Sequence, residues 1–305
     1  TLFLFVILSP MTENLSPKPS QFKIYLIFTK FRLSFLVIIS ALSGYLFAGG
    51  SDLLEIFYLL LGGTLVTAAS NGANQIWERD LDSLMKRTAN RPLPRGWMSL
   101  NEAYLICVFS LVTGTILLLL INWQSAALGF LAFVSYVFIY TPMKRVSPWA
   151  VLIGAFPGAI PPFLGAIAAT DHFGFLPGIL FFVQFTWQFP HFWAIAWVLY
   201  DDYKLAGFSL LPSKSGRSKA SAFQIMVYSL ALIPFSLVPW LLGWTGSLTL
   251  YVAAGLGILF FLYAYRLFIY CETADARKLM FASFVYLPII QFIYVFDRVE
   301  TMIPK

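Results

Sequence analysis

Three oxygen-bearing side chains stand four residues apart where an apolar segment gives way to polar sequence. They belong to Asn74, Glu78 and Asp82, and on a helix that advances about 100° per residue they fall within a wedge of roughly 80°. One face of this helix end therefore carries an amide and two carboxylates. Asp80 falls on roughly the opposite face, so we interpret it as a solvated or ion-paired charge outside the site.

Oxygen ligands of this type suit a hard cation, and basic residues that could hold an anion follow at once. Mg²⁺ is commonly bound by one or two carboxylates together with the phosphate oxygens of a substrate. Lys86, Arg87, Arg91 and Arg95 come directly after the carboxylates, and such side chains bind phosphates. The alternative is a collar of charges at the level of the lipid head groups. Charge at membrane depth is costly and normally faces a functional cavity, so three acceptors on one face favour the functional interpretation.

The composition is that of a polytopic membrane protein. The chain has 305 residues, of which 59% are hydrophobic and 11% charged, and its mean hydropathy is +0.79, which is far outside the range of soluble domains. This excludes a soluble or nucleic-acid-binding protein. Aromatic residues make up 18% of the chain, more than interfacial belts need, so we expect some rings to line an internal cavity. Cys107 and Cys271 lie far apart and indicate neither a metal site nor a disulfide framework.

Nine apolar segments approach the length of about 20 residues that a transmembrane helix needs. Backbone polar groups in lipid must bond within their own segment, so each segment is predicted to be helical. The sequence therefore predicts an all-α membrane protein with nine transmembrane helices. The predicted spans are residues 33–50, 53–77, 101–121, 125–141, 148–169, 174–200, 220–241, 246–267 and 279–296.

The basic residues determine the predicted orientation. If the N-terminus is cytoplasmic, all of the 20 Lys and Arg residues except Arg298 and Lys305 fall on the cytoplasmic side, as the positive-inside rule requires. The net charge of +6 then belongs to one membrane face and gives no argument for a nucleic-acid partner. We expect a multi-pass protein of the bacterial inner (plasma) membrane, with its N-terminus and its long loops after spans 2 and 6 in the cytoplasm.

We predict one transmembrane domain over residues 24–297, between an N-terminal tail, 1–23, and a short C-terminal tail, 298–305. The first nine residues are apolar but too short to span a membrane, and no positively charged region of a signal peptide precedes them. We interpret residues 1–10 as a gene-model extension ahead of Met11.

The sixth span is the second segment with polar groups at membrane depth. It carries Gln184, Gln188 and His191, and Asp201 and Asp202 follow at its end. Two carboxylate-bearing helix ends that meet across a cavity could hold a pair of Mg²⁺ ions and a diphosphate. An aromatic cavity that opens into the bilayer would suit an isoprenyl diphosphate, because cations neutralise the leaving diphosphate and ring faces stabilise an allylic cation.

The stretch Asn74-x-x-x-Glu78-x-x-x-Asp82, followed by Lys86-Arg-Thr-x-Asn-Arg-Pro-Leu, resembles the first aspartate-rich motif of the UbiA superfamily of intramembrane prenyltransferases. More narrowly, six segments, one of which overlaps this stretch, are similar to the protohaem IX farnesyltransferases, also called haem O synthases. These segments are Thr29-Lys-Phe-Arg-Leu-Ser, Arg87-Thr-Ala-Asn-Arg-Pro-Leu, Tyr140-Thr-Pro-Met-Lys-Arg, Gly158-Ala-Ile-Pro-Pro, and Pro190-His-Phe-Trp-Ala with Asp202-Tyr-Lys-Leu-Ala-Gly. Together they extend the resemblance over residues 24–297.

The resemblance implies a nine-helix bundle around a central cavity and a Mg²⁺-dependent enzyme. The family transfers farnesyl from farnesyl diphosphate to a vinyl group of haem b, with addition of water, and its product haem O serves haem-copper oxidases. The expected partners are farnesyl diphosphate, haem b, the lipid bilayer, and a haem A synthase or oxidase assembly factors. One alternative is a superfamily relative that prenylates an aromatic quinone precursor. Another alternative is a transporter. The acidic motifs argue against it, because both are predicted at one membrane surface and transporter sites lie near the membrane midplane.

The resemblance also implies roles for single residues. The expected catalytic Mg²⁺ ligands are Asn74, Glu78, Asp82 and Asp202. Glu78 stands where the superfamily usually has Asp, and it keeps the charge. Val198 stands where the second motif would have a carboxylate, and Asp201 is the candidate metal ligand that compensates. The candidates for contacts with diphosphate or with haem propionates are Lys30, Arg32, Lys86, Arg87, Arg91, Lys144 and Arg145.

His191 has two interpretations. It lies about ten residues, roughly 15 Å of helix, from the cytoplasmic end of its span. The first interpretation is a buried histidine that bonds to a neighbouring Gln or carbonyl. The second is a contact with haem, through the iron or the porphyrin, because the resemblance makes haem the acceptor. Replacing His191 with Ala should then weaken haem binding more than farnesyl diphosphate binding.

Overall fold

The computed structural model describes residues 18–299, and the regular elements of this part of the chain are helices. The expectations for residues 1–10 and Met11 lie outside the described residues. The elements are α1 (Gln21–Phe28), α2 (Phe31–Phe47), α3 (Leu53–Trp77), α4 (Arg79–Asp82), α5 (Leu100–Leu119), α6 (Trp123–Val134), a π-helix (Ser135–Tyr140), α7 (Thr141–Met143), α8 (Ala150–Thr170), α9 (Phe175–Val198), α10 (Tyr200–Leu205), α11 (Lys219–Leu241), α12 (Ser247–Tyr270) and α13 (Thr273–Phe296).

Each predicted span coincides with a helix or with a run of consecutive helices, but the count of nine is not confirmed. By length and composition, seven of the described helices can cross a membrane, or eight if α1 and α2, which meet at 52°, form one broken span. The remaining segment is α9. It is 24 residues long, but Gln184, Gln188 and His191 interrupt its apolar sequence.

The long helices pack in chain order and close into a ring. Each of α2, α3, α5, α6, α8, α9, α11, α12 and α13 contacts the next in this series, and α13 returns to contact α2. Contacts of α2 with α8 and of α9 with α13 cross the ring, so these four helices form its centre. The all-α bundle predicted from the sequence is confirmed.

The outer surface of the bundle is apolar. On α5, for example, Leu105, Phe109, Val112 and Ile116 are all more than half exposed, and their spacing places them along one face of the helix. A face of this kind is unfavourable in water and favourable in hydrocarbon. Together with the candidate spans, it identifies a multi-pass membrane protein.

The backbones of α2 and α8 lie in direct contact. A Cβ atom at Gly165 would collide with the carbonyl oxygen of Ala41, so the absence of a side chain at Gly165 allows this close packing. Pro162 has no N–H to donate to the carbonyl of Gly158, one turn earlier. The side chain of Gln184 supplies the missing donor, with its Nε2 2.6 Å from that oxygen.

Three polar side chains from distant parts of the chain meet in the bundle centre. The Ser40 hydroxyl donates to Gln184 Oε1 at 2.6 Å, and Gln291 Nε2 lies 2.7 Å from the same oxygen and 2.5 Å from Ser40 Oγ. All three are buried. Since α2, α9 and α13 each contribute one member, this cluster connects the first, middle and last parts of the described chain.

Candidate active site

Asn74, Glu78 and Asp82 form one acidic face although the helix geometry changes at Glu78. Helix α3 ends at Trp77, and Glu78 leaves the helical region with φ −95° and ψ 10°. The backbone nevertheless continues the pattern, because Glu78 N donates to Asn74 O at 2.9 Å and Asp82 N donates to Glu78 O at 2.8 Å. Asn74, Glu78 and Asp82 therefore stay on one side and are buried, with exposures of 1%, 4% and 0%.

Asp80 points the other way. Its side chain is 86% exposed and its Oδ1 lies 3.0 Å from Nε of Arg79, its chain neighbour. An exposed pair of this type contributes little to stability. The helical repeat thus correctly predicts that Glu78 and Asp82 lie on one side and Asp80 on the other.

Basic side chains oppose the buried acidic face. Arg91 Nη1 donates to both carboxylate oxygens of Asp82, at 2.8 and 2.6 Å. Lys144 Nζ lies 2.5 Å from Glu78 Oε1, and Lys30 Nζ donates to Asn74 Oδ1 at 3.0 Å. Three segments far apart in sequence therefore bring ammonium and guanidinium groups to the same three acceptors.

Burial shifts the pKa values of two charged groups at this end of the bundle. Burial lowers the pKa of the Lys144 ammonium, and the neighbouring Glu78 carboxylate opposes this effect. Burial also raises the pKa of the Asp82 carboxyl, although the Arg91 guanidinium opposes the rise. The Asp82 carboxylate is thus not fully compensated by its protein partners, and an added cation would favour its charged form.

These groups line a cavity of about 170 Å³ at one end of the bundle. It contains four cationic and two anionic side chains, so the lining favours a polyanion. The lining residues are Lys30, Leu33, Asn74, Glu78, Asp82, Met85, Arg87, Arg91, Tyr136, Tyr140, Lys144, Tyr203, Phe208 and Leu210. A larger groove of about 360 Å³ lies between α12 and α13, but its lining contains no carboxylate and only one cation, Lys278.

Aromatic rings form one wall of the cavity. A π-helix of six residues ends the fourth span, and it brings the rings of Tyr136 and Tyr140 to a centroid distance of 5.3 Å. Lys144 Nζ lies 5.0 Å from the centroid of Tyr140 and 5.3 Å from that of Phe208. The aromatic lining was expected from composition, but these particular rings were not, because a π-helical turn gives no clear sequence signal.

Thr141 is a further site residue that the sequence reasoning missed. Its hydroxyl donates to Tyr136 O at 2.8 Å and accepts from Asn74 Nδ2 at 3.2 Å. Asn74 Nδ2 also donates to Glu78 Oε2 at 2.9 Å. The hydroxyl therefore connects the π-helix to the acidic face and fixes the orientation of the Asn74 amide.

The remaining candidates lie outside this cavity. Arg32, Lys86 and Arg145 are exposed and do not belong to its lining. Asp201 is 79% exposed and pairs with Arg217 at 3.0 Å. Asp202 Oδ1 accepts from the backbone N–H of Lys86 at 2.9 Å, so this carboxylate connects the two polar loops.

The residues of the cavity fit a Mg²⁺ ion that arrives with a diphosphate. Glu78, Asp82 and Asn74 face one cavity with oxygen atoms, the donor set that Mg²⁺ takes when phosphate oxygens complete its shell. Outside the lining, Asp202 Oδ2 is buried and has no hydrogen-bond partner. Within residues 18–299, no group of three or more His, Cys, Asp or Glu side chains is arranged to hold a metal ion.

His191 lies deeper in the bundle. Its Nδ1 is 2.7 Å from Ser283 Oγ, its ring stacks on Trp187 at a centroid distance of 4.3 Å, and the edge of Phe284 lies against it. The residue is 6% exposed and does not line the cavity. The partner of His191 is therefore a serine hydroxyl and not the Gln or carbonyl expected for a structural histidine, and the haem contact stays a prediction.

Comparison with known proteins identifies the family. The sequence profile of the UbiA prenyltransferase family matches residues 37–286. A protoheme IX farnesyltransferase of Cytophaga hutchinsonii is 48% identical over 283 residues, which cover 92% of this chain and 99% of the relative. A second, from Christiangramia forsetii, is 45% identical and covers 88% of this chain and 91% of its own length.

Solved structures share the fold. A digeranylgeranylglyceryl phosphate synthase structure superimposes with a TM-score of 0.76 at 21% identity, over 92% of this chain and 99% of that one. A UbiA homologue from Archaeoglobus fulgidus, bound to DMAPP and Mg²⁺, gives a TM-score of 0.63 at 17% identity, over 89% and 98% of the two chains. By sequence profile and by its curated relatives, the chain belongs to the UbiA prenyltransferase family and is an enzyme of prenyl transfer.

Proposed function

We propose that this protein transfers the farnesyl group of farnesyl diphosphate to a vinyl group of haem b, giving haem O and diphosphate. The observation that carries the proposal is the buried cavity, in which Glu78 and Asp82 face Lys30, Arg91 and Lys144 at the end of an apolar bundle. The names of the two relatives at 48% and 45% identity support farnesyl as the donor group and protohaem as the acceptor.

The basic residues would bind the diphosphate. Lys30, Arg87, Arg91 and Lys144 line the cavity, and guanidinium and ammonium groups form strong charge-assisted hydrogen bonds to phosphate oxygens. Arg91 and Lys144 already contact carboxylates, so a metal on those carboxylates would release both cations towards the diphosphate. When bound there by Asn74, Glu78 and Asp82, Mg²⁺ would neutralise the charge that develops on the leaving diphosphate.

The aromatic wall would serve the carbon side of the reaction. Cleavage of the C1–O bond of farnesyl diphosphate leaves an allylic cation, and the faces of Tyr136 and Tyr140 can stabilise it while water is excluded. The vinyl group of haem b then forms the new C–C bond. Addition of water to the resulting carbocation and loss of one proton complete a hydroxyethylfarnesyl side chain.

We also propose the environment in which the reaction takes place. The cavity lies on the side that carries nearly all of the basic residues, which the positive-inside rule assigns to the cytoplasm of a bacterium. The transmembrane domain would then cover residues 24–297 in the inner membrane. A haem A synthase or oxidase assembly factors would receive the product, and an apolar product would reach them through the bilayer.

One experiment tests donor, acceptor and reaction together. The protein is expressed in a bacterium that lacks its own haem O synthase, beside the variant Glu78→Gln, and the extracted haems are identified by mass. We expect haem with one hydroxyethylfarnesyl group from the wild-type protein and haem b alone from the variant. Haem b alone from a folded wild-type protein would contradict the proposal, and prenylated aromatic acids in that extract would favour a quinone precursor as acceptor.

A further inference from the structure

We propose that Asn71 and Gln75 are positioning residues whose side-chain amides stabilise the break between α1 and α2, and that this break holds the Lys30 ammonium in the diphosphate cavity. The inference rests on the proposed function, because it assumes that Lys30 contacts the diphosphate.

The break is a sharp departure from helical geometry inside a candidate membrane span. Helices α1 and α2 meet at 52°, and Lys30 adopts a left-handed conformation with φ 49°, which is unfavourable for a side chain other than glycine. The last carbonyl groups of a helix have no partner within it. In a bilayer, neighbouring helices must satisfy such groups. A lysine in this conformation therefore needs support from outside its own segment.

Two amide side chains of α3 provide this support. Gln75 Nε2 donates to the carbonyl oxygens of Phe28 at 2.7 Å and Ile27 at 3.3 Å. Asn71 Nδ2 donates to the carbonyl oxygen of Thr29 at 3.2 Å. Both side chains are buried, with exposures of 0% for Gln75 and 5% for Asn71. Donors from another span thus hold all three carbonyl groups, although Ile27 O also accepts from Lys30 N and Thr29 O from Ser34 Oγ, each at 3.2 Å.

The same turn of α3 also receives the Lys30 side chain. Asn71 and Gln75 stand four residues apart and share one face of the helix, and Asn74 lies between them in sequence. Lys30 Nζ donates to Asn74 Oδ1 at 3.0 Å. One helical turn therefore fixes the backbone around the break and the end of the lysine side chain that follows it. A straight first span would lose both sets of contacts together.

Gln75 allows a clean substitution. Its Oε1 is buried without a hydrogen-bond partner, so Gln75→Leu removes an unsatisfied acceptor together with the donor, and the variant is expected to fold. A matched control lies at the opposite end of the bundle. Gln124 is also buried, and its Nε2 donates to the carbonyl oxygen of Asp171, at the end of α8, at 2.9 Å.

The test is a double-mutant cycle on the binding of farnesyl diphosphate with Mg²⁺, without haem, to the full chain in detergent. Lys30→Gln should raise Kd about tenfold, the size expected for one lost hydrogen bond to a charged group. Gln75→Leu should raise it by a similar factor. Because both changes remove the same contact, the double variant should bind no more weakly than Lys30→Gln alone.

The controls separate positioning from general damage. Gln124→Leu should leave Kd unchanged, and in turnover Gln75→Leu should raise KM for the prenyl diphosphate but not for the acceptor. If Gln75→Leu does not fold, Gln75→Asn replaces it, because the shorter amide cannot reach the Phe28 carbonyl. Wild-type affinity in the Gln75 variant, or multiplied effects of about a hundredfold in the double variant, would overturn the inference. Absence of binding by the wild-type protein would instead refute the proposed function.

Discussion

The substitution Asp82→Asn tests the metal-binding role of the acidic face most directly. The asparagine keeps the volume of the side chain and one acceptor oxygen, but it removes the charge of a carboxylate that is 0% exposed. We expect the folded protein to lose its activity. Asp80→Asn is the matched control, because the same chemical change is made two residues away on a side chain that is 86% exposed.

The cost to stability can be worked from the contacts of Asp82. Arg91 Nη1 lies 2.8 and 2.6 Å from the two oxygens, and the Arg91 side chain is 15% exposed. The substitution replaces an ion pair by a hydrogen bond from the guanidinium to a neutral amide oxygen, which costs about 1–2 kcal/mol. Such a loss lowers Tm by only a few degrees in a chain of this length. Asp80→Asn removes an exposed surface pair and should leave Tm nearly unchanged.

The cost to catalysis should be much larger. Loss of one group that stabilises developing charge typically lowers kcat by about 10²–10³. The assay measures formation of haem O from haem b and farnesyl diphosphate in detergent, with thermal unfolding followed in the same preparations. We expect Asp80→Asn to stay within about twofold of the wild-type rate, as is usual for a surface site. Retention of about a tenth or more of the activity by Asp82→Asn would refute the metal assignment.

Three further predictions concern the same site, and a fourth concerns His191, deeper in the bundle. Removal of Mg²⁺ with EDTA should abolish turnover, and added Mg²⁺ should restore it; turnover that persists in EDTA would exclude the metal. Lys144→Gln should raise KM for the prenyl diphosphate about tenfold, whereas Arg145→Gln, at an exposed position, should leave it unchanged, and equal effects would show that the cavity lining does not select the anion contacts. Tyr140→Leu should lower kcat about tenfold while Tyr140→Phe, which keeps the ring, should retain most activity; a hydroxyl-dependent loss would contradict cation stabilisation by the ring. His191→Ala should weaken haem binding more than farnesyl diphosphate binding, as measured by titration with each substrate, and equal losses would identify His191 as structural.

Local periodicity was sufficient for the acidic face. The i, i+4, i+8 spacing predicts that Asn74, Glu78 and Asp82 share one side and that Asp80 does not, and the structure places them so although the helix changes at Glu78. Backbone hydrogen bonds across that residue preserve the register. The prediction depended only on neighbours within two turns, which is why no knowledge of tertiary structure was needed.

Contacts between distant segments could not be predicted from the sequence. Lys30 and Arg32 are two residues apart and were equivalent candidates, but only the ammonium of Lys30 lines the cavity, because the chain breaks at that residue. Lys144 and Arg145 are adjacent, and again only Lys144 faces inwards. Which member of each pair lies inside depends on a helix break and on a π-helical turn, and neither has a reliable sequence pattern.

The number of spans illustrates a different limit. Hydropathy treats each segment alone, whereas the polar groups of α9 are satisfied by its neighbours: Gln184 by the Gly158 carbonyl and Gln188 by the Ala155 carbonyl at 2.8 Å. A helix of this kind can carry more polar residues than a lipid-facing helix, because its polar atoms bond to neighbouring helices and do not contact lipid. Its place in the bundle follows from packing and not from its own composition.

The polar cluster of Ser40, Gln184 and Gln291 has a consequence for how the protein is made. The Gln291 amide bonds to Ser40, 251 positions earlier in the chain, so the ribosome must finish the last long helix before the first span can acquire its final partner. Until then Ser40 and Gln184 lack the hydrogen bonds from Gln291 in the middle of the membrane. The early spans can therefore insert one by one, but the completed bundle forms only after α13 has been synthesised, and truncation before α13 should leave a membrane-inserted chain that quality-control proteases can recognise.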